Sequence, residues 1–209
     1  GWESEPTYGF ANATGFELKS QAINRRQRLS ELPAGLVEKL YDDAFAQAGD
    51  YELLRFAGRT PDELIDEVAR LTAAINDAPL DDLEMEDEAF PPERIRAYET
   101  AQNESGFRFR RVVARHRATG ELAGHTVVTV DSERPTIGDQ HDTAVAGPHR
   151  GHRLGVLLKA DMVRWLATDE PQLETIDTWN AESNDHMVFV NELLGYRIMG
   201  RELNFQRRI

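Results

Sequence analysis

The chain contains no cysteine, which excludes disulfides, thiolate metal sites and a cysteine nucleophile together. It has no apolar run near the roughly 18 residues that a membrane helix needs. It opens Gly1-Trp2-Glu3-Ser4, without the basic and then apolar stretch of a signal peptide. No membrane partner and a cytoplasmic location are therefore expected. Basic residues are scarce: 24 Lys and Arg stand against 37 Asp and Glu, a formal charge of -13. Such a surface repels nucleic acid phosphates and suits a cationic or amine partner better. The acid concentrates in Asp77 to Glu88, DAPLDDLEMEDE, which holds no basic residue and reads as a solvated loop. A G-x-S-x-G elbow, a P-loop and a G-x-G-x-x-G fingerprint are also missing, so hydrolase, NTPase and Rossmann functions have no motif behind them. His149 and His152 lie three apart, but no third ligand follows at a metal spacing, and no metal is expected.

What is present fits one full domain and a smaller piece within 209 residues. The chain also matches itself. Gly15-Phe16-Glu17-Leu18 aligns with Gly195-Tyr196-Arg197-Ile198, and the register runs on through Ile23 with Leu203, Asn24 with Asn204, Arg28 with Arg208 and Leu29 with Ile209. The offset, 195 minus 15, is 180, about one domain length. Residues 1–29 therefore read as the tail of a preceding, related domain, 30–50 as a connecting helix, and 51–209 as the domain itself. A helix is expected over Pro33 to Gln47, closed by Gly49, and a strand over Tyr51 to Phe56. Thr60-Pro61-Asp62-Glu63 reads as N-cap, N1 proline and capping-box acid for a helix through Leu64, Val68, Leu71 and Ile75. Pro92 opens another helix. Phe107 to His116 and Leu122 to Val130 form a hairpin about Ala118-Thr119-Gly120, and a third strand ends near Val145. A helix with Leu154, Leu158, Met162 and Trp165 on one stripe follows, then a strand at Glu174 to Thr178, a helix at Asn184 to Leu194 and a closing strand after Gly195. The order βααβββαβαβ implies an α/β (α+β) mixed sheet flanked by helices.

The segment Val145 to Gly155, VAGPHRGHRLG, carries the chemistry. It reads as a strand end, a tight loop and the first turn of a helix. The first N–H groups of a helix lack partners within it, its dipole adds positive potential, and Gly151 and Gly155 let backbone approach a phosphate. Arg150, His152 and Arg153 add charge in an otherwise acidic chain.

Arg150-x-x-Arg153-x-Gly155 resembles the acyl-CoA signature of the GNAT superfamily of N-acetyltransferases, Q/R-x-x-G-x-G/A, with Arg153 in place of the central glycine. Thr178 to Met187, followed by Gly195-Tyr196, resembles the family's later stretch. The resemblance covers roughly residues 51–209 and is closest to actinobacterial tandem GNAT proteins such as mycothiol synthase. It implies a mostly antiparallel, twisted sheet whose central strands splay into an acyl-CoA cleft, with acetyl-CoA as cosubstrate and a small amine acceptor. It further implies pantetheine contacts from Ala144 and Val145, phosphate contacts from Arg150, Gly151, His152, Arg153, Leu154 and Gly155, and Asn184 near the cofactor. Many family members carry a proton-donating Tyr four residues before the Gly of Gly-aromatic; that position is Asn191, which can donate a hydrogen bond but not a proton. The candidate bases are Asp142 and then His141, on the strand leading into the loop. Tyr196 is a weaker donor candidate, read more readily as core. Transfer of acetyl to an amine is the leading expectation; a non-catalytic CoA-binding or structural repeat is the other.

Overall fold

The computed structural model describes residues 4–77, 82–84 and 86–207. A first helix, α1 (Glu5–Ala13), leads into strand β1 (Glu17–Arg28); α2 (Leu36–Phe45), β2 (Tyr51–Ala57), α3 (Ile65–Thr72) and α4 (Pro92–Glu104) follow. The second half comprises β3 (Phe107–His116), β4 (Leu122–Asp131), β5 (Ile137–Val145), α5 (Leu154–Asp169), β6 (Thr175–Ala181), α6 (Asp185–Leu193) and β7 (Arg197–Gln206). From Tyr51 onward the order matches the expected βααβββαβαβ. Part of the acidic run, residues 78–81 and 85, lies outside the described residues.

All seven strands form one sheet in the order β2-β3-β4-β5-β6-β1-β7. Every neighbouring pair is antiparallel except β5 and β6, which α5 joins as a crossover. Alternation along the strands sorts the two faces. Val112 and Ala114 of β3 belong to the core beneath α2 and α5, whereas Val113 packs with Val68, Leu71 and Ile95 of α3 and α4 on the opposite side. Strand β4 is buried over nearly its whole length because both faces are covered. Helix α5 is apolar almost all round for the same reason: it lies between the sheet and α2.

Three local expectations change. Helix α2 starts at Leu36, after Gly35 takes a left-handed φ of 74°, and ends before Gly49. Thr60 does not cap a helix. Its hydroxyl and its N–H both donate to the buried Glu99 carboxylate, so Asp62–Leu64 form only a 3-10 turn before α3; a buried acid outcompetes the cap. The N-terminal piece contains a helix, α1, as well as a strand, and that strand runs inside the sheet between β6 and β7.

Candidate functional site

Parallel pairing between β5 and β6 extends only from Ile137 opposite Thr175 to Gln140 opposite Thr178. Beyond that point the strands part, β5 running on to Val145 and β6 to Ala181. The parting coincides with a bulge: Val128 faces Gln140 but Thr126 faces Thr143, so β5 spends an extra residue at His141 and Asp142. The bulge turns both side chains toward the opening. The cleft so formed holds about 880 Å³ and is lined by β5 from Gln140 to Val145, by the loop and first turn of α5, and by Thr178 to Ala181 with the start of α6.

At one end of the cleft sits the head of α5. None of the backbone N–H groups from Gly151 to Val156 has a backbone acceptor among the described residues. Such a row of donors at the positive end of a 16-residue helix is an anion cradle. The cradle depends on two left-handed residues, Gly151 at φ 89° and Arg153 at φ 56°. Glycine adopts the first freely; Arg153 is the one non-glycine residue with positive φ among those described, at the position where the signature has glycine. That glycine therefore has a conformational purpose, and here a side chain tolerates the strain. Arg153→Gly is expected to stabilise the fold by about 1 kcal/mol, a rise in Tm of roughly 2–4 °C, measured by calorimetry; an unchanged or lowered Tm would contradict the strain.

The structure gathers Ala144, Val145, Arg150, Gly151, Arg153, Leu154, Gly155, Asn184, His141 and Asp142 around the cleft, and it leaves out His152 and Asn191. The His152 imidazole sits against Tyr51 and its Nδ1 lies 3.2 Å from the His149 carbonyl oxygen, so the ring packs on the outer side of the loop. Arg150 borders the mouth but is engaged: its Nε donates to the Val145 carbonyl at 3.1 Å and its Nη2 to Asp77 at 2.6 Å. Asn184 caps α6, accepting from the N–H of Met187. His141 Nε2 lies 2.8 Å from the Thr129 hydroxyl and Nδ1 3.4 Å from Tyr98, and enclosure by protein holds its imidazole below the usual value. Asp142 has its carboxyl raised, chiefly by burial, with no hydrogen bond from the described residues opposing the shift. Tyr196 is fully buried and its hydroxyl pushed up by burial, a core role.

Asn191 is buried because it serves a neighbour absent from the candidates. Lys159, one turn beyond Gly155 on α5, lines the inner wall of the cleft with almost no exposure. Its Nζ donates to Asn191 Oδ1 at 2.6 Å and lies 4.5 Å from the centre of the Tyr196 ring, and Asn191 Nδ2 donates to Asn180 Oδ1 at 2.6 Å. A chain of polar groups thus runs from the β5–β6 opening into the core. Burial alone brings the Lys159 amine down to about 7. A lysine within an apolar helix was the available sign in the sequence. Because the unfolded amine holds its proton up to 10.5, the unfolded state binds more protons between about pH 7 and pH 10.5, and stability rises with pH there. The gap is worth at most about 5 kcal/mol. Lys159→Met is expected to lose this slope; denaturant titrations at pH 6.5 and pH 9.5 measure it, and equal slopes in both proteins would refute a buried neutral amine.

No protein-family model matches the chain, and neither does any curated protein. Solved structures do. A tandem GNAT protein from the clavulanic acid biosynthesis pathway is similar over 97% of this chain and 58% of its own, with TM-score 0.76 and 27% identity. A GCN5-related N-acetyltransferase from Sphaerobacter thermophilus aligns over 97% of this chain and 56% of its own, with TM-score 0.61 and 13% identity. A Trypanosoma brucei acetyltransferase aligns over 76% of this chain and all of its own, with TM-score 0.53 and 16% identity. The chain thus spans less than two thirds of the first two. The chain thus shares the fold of these GNAT N-acetyltransferases, with its own sheet parting above the head of α5.

Proposed function

We propose that this domain binds acetyl-CoA in the β5–β6 cleft and transfers its acetyl group to the amine of a small molecule or peptide. The observation that carries the reading is the row of free N–H groups from Gly151 to Val156, facing a cleft that also exposes an unbonded carboxylate. The cradle suits a pyrophosphate, and the freed edge of β5 at Ala144 and Val145 suits the amides of a pantetheine arm. The cosubstrate supplies an activated thioester. The amine nitrogen bonds to the acyl carbon, the carbon–sulfur bond breaks, and the amide leaves with CoA as its thiol.

An ammonium cannot attack, so one proton must go to a base. Asp142 is the assigned base: it lines the cleft, lacks a competing hydrogen bond among the described residues, and burial strengthens its basicity. His141 positions it from the adjacent site on the bulge, being already engaged by Thr129 and Tyr98. Asp142→Asn is expected to lower kcat/KM by about 10²–10⁴-fold while leaving acetyl-CoA affinity within a few fold. His141→Gln is expected to cost less. The measurement is free-thiol release with acetyl-CoA across an amine panel, beside calorimetry of acetyl-CoA binding. An Asp142→Asn enzyme as fast as its parent rejects the base.

One observation favours a second reading, a CoA-binding repeat without catalysis. Asn191 stands where the family's donor Tyr would be, and it is turned inward to Lys159. Acetyl-CoA binding without thiol release for any amine selects that reading, and absence of binding rejects both.

A further inference from the structure

The polar chain at the inner wall of the cleft ends on a donor without an acceptor. It begins at Lys159 of α5, passes through Asn191 of α6 and reaches Asn180 of β6. Lys159 Nζ donates to Asn191 Oδ1 at 2.6 Å, and Asn191 Nδ2 donates in turn to Asn180 Oδ1 at 2.6 Å. Both anchors are buried, Lys159 at 1% exposure and Asn191 at 0%. They hold the oxygen of Asn180 inward, which turns its Nδ2 the other way. Among the described residues that Nδ2 meets no acceptor.

The position of this amide decides what it can meet. Asn180 is half-buried and lines the cleft, on the stretch of β6 beyond Thr178, the last residue paired with β5. It therefore stands on the wall opposite the bulge that carries His141 and Asp142. A cosubstrate with its pyrophosphate at the head of α5 and its pantetheine amides along Val145 and Ala144 runs down β5 toward that bulge. Its thioester then lies between the two walls. The amine comes in on the side of Asp142, so the sulfur that departs is left to the side of β6. An unpaired donor in such a place costs free energy until an acceptor enters.

We propose that Asn180 is a catalytic residue whose Nδ2 donates a hydrogen bond to the thioester sulfur as the carbon–sulfur bond breaks, and that Asn191, held by Lys159, is the positioning residue that keeps this amide turned to the cleft. The inference rests on acetyl transfer in the cleft. The nitrogen, relieved of its ammonium proton by Asp142, bonds to the acyl carbon, and the electron pair of the carbon–sulfur bond passes to sulfur. Asn180 gives up no proton, because an amide cannot do so usefully. The sulfur takes the proton that the nitrogen sheds on becoming an amide. A donor fixed before the charge forms needs no rearrangement when it does.

Asn180→Ala removes the donor without adding charge. Asn180→Asp is the second variant: it keeps an oxygen for Asn191 and replaces only the free Nδ2. Circular dichroism checks the fold of each. In both, kcat with acetyl-CoA is expected to fall by about 100-fold, with KM for acetyl-CoA within a few fold of the parent. Bound CoA reports the same contact without any amine. The ultraviolet absorbance of its thiolate, titrated with pH in the CoA complex against the desulfo-CoA complex, is expected to show a thiol about tenfold less acidic in Asn180→Ala, or about one pKa unit. Asn191→Ala is expected to move kcat and the thiol in the same directions by less. A bound thiol equally acidic in the parent and in Asn180→Ala overturns the donor, whatever the amine panel shows, and leaves acetyl transfer standing. Parental values of both quantities in Asn191→Ala overturn its positioning role. A parent that binds CoA but releases thiol with no amine rejects acetyl transfer and the catalytic role with it, and a parent that binds no CoA rejects both.

Discussion

Glu99→Ala is expected to destabilise the protein by about 3–5 kcal/mol, lowering Tm by roughly 6–20 °C. Glu99 of α4 and Arg111 of β3 are both almost completely buried. The guanidinium Nη1 donates to Glu99 Oε1 at 2.9 Å, and Thr60 donates to the same oxygen at 2.5 Å. Burial already works against the arginine's charge, and Glu99 is the first attraction opposing it. Removing the acid leaves a desolvated cation beneath the face that carries Asp142. The double variant Glu99→Ala with Arg111→Met is expected to recover much of the loss, because no buried charge is then left alone. Urea unfolding measures both; a loss below about 1 kcal/mol for the single variant would place this pair among ordinary surface salt bridges.

For Gly155→Glu, acetyl-CoA affinity is expected to fall by at least about 100-fold, or about 2.8 kcal/mol at 1.4 kcal/mol per decade. A Cβ at Gly155 meets only His186 and Val190, at 3.8 and 3.9 Å, both ordinary contacts. Gly155→Ala is therefore expected to fold and bind within a few fold of the parent. The glutamate extends from that same atom into the cleft and sets a carboxylate among the N–H groups that would receive the pyrophosphate. Circular dichroism checks folding and calorimetry checks binding. A folded Gly155→Glu protein with unchanged affinity removes the phosphate from the head of α5.

Much of the domain was legible because its signals are local. The hairpin about Gly120, the start of α4 at Pro92 and the cap at Asn184 each follow from a few adjacent residues, and the structure has them where expected. The loop from Val145 to Gly155 was legible for the same reason. Thr60 misled because its partner, Glu99, is 39 residues away. Lys159 and Asn191 were missed as a pair because 32 residues separate them, and neither has meaning without the other. His152 stands in a suitable place along the chain, yet the turn at Gly151 puts it on the outer side of the loop.

By itself, the sequence determined that this chain offers no cysteine side chain, that it alternates strand and helix in the order of a mixed sheet, and that glycines and basic side chains gather in one loop. Those properties depend on composition and on neighbours within a turn or two. Only the tertiary structure decided where β5 and β6 part, which way the bulge at His141 and Asp142 faces, that a lysine is buried at the inner wall, and that β1 runs between β6 and β7. Each of these depends on the register between strands far apart in the chain, and register is set by the packing of whole faces.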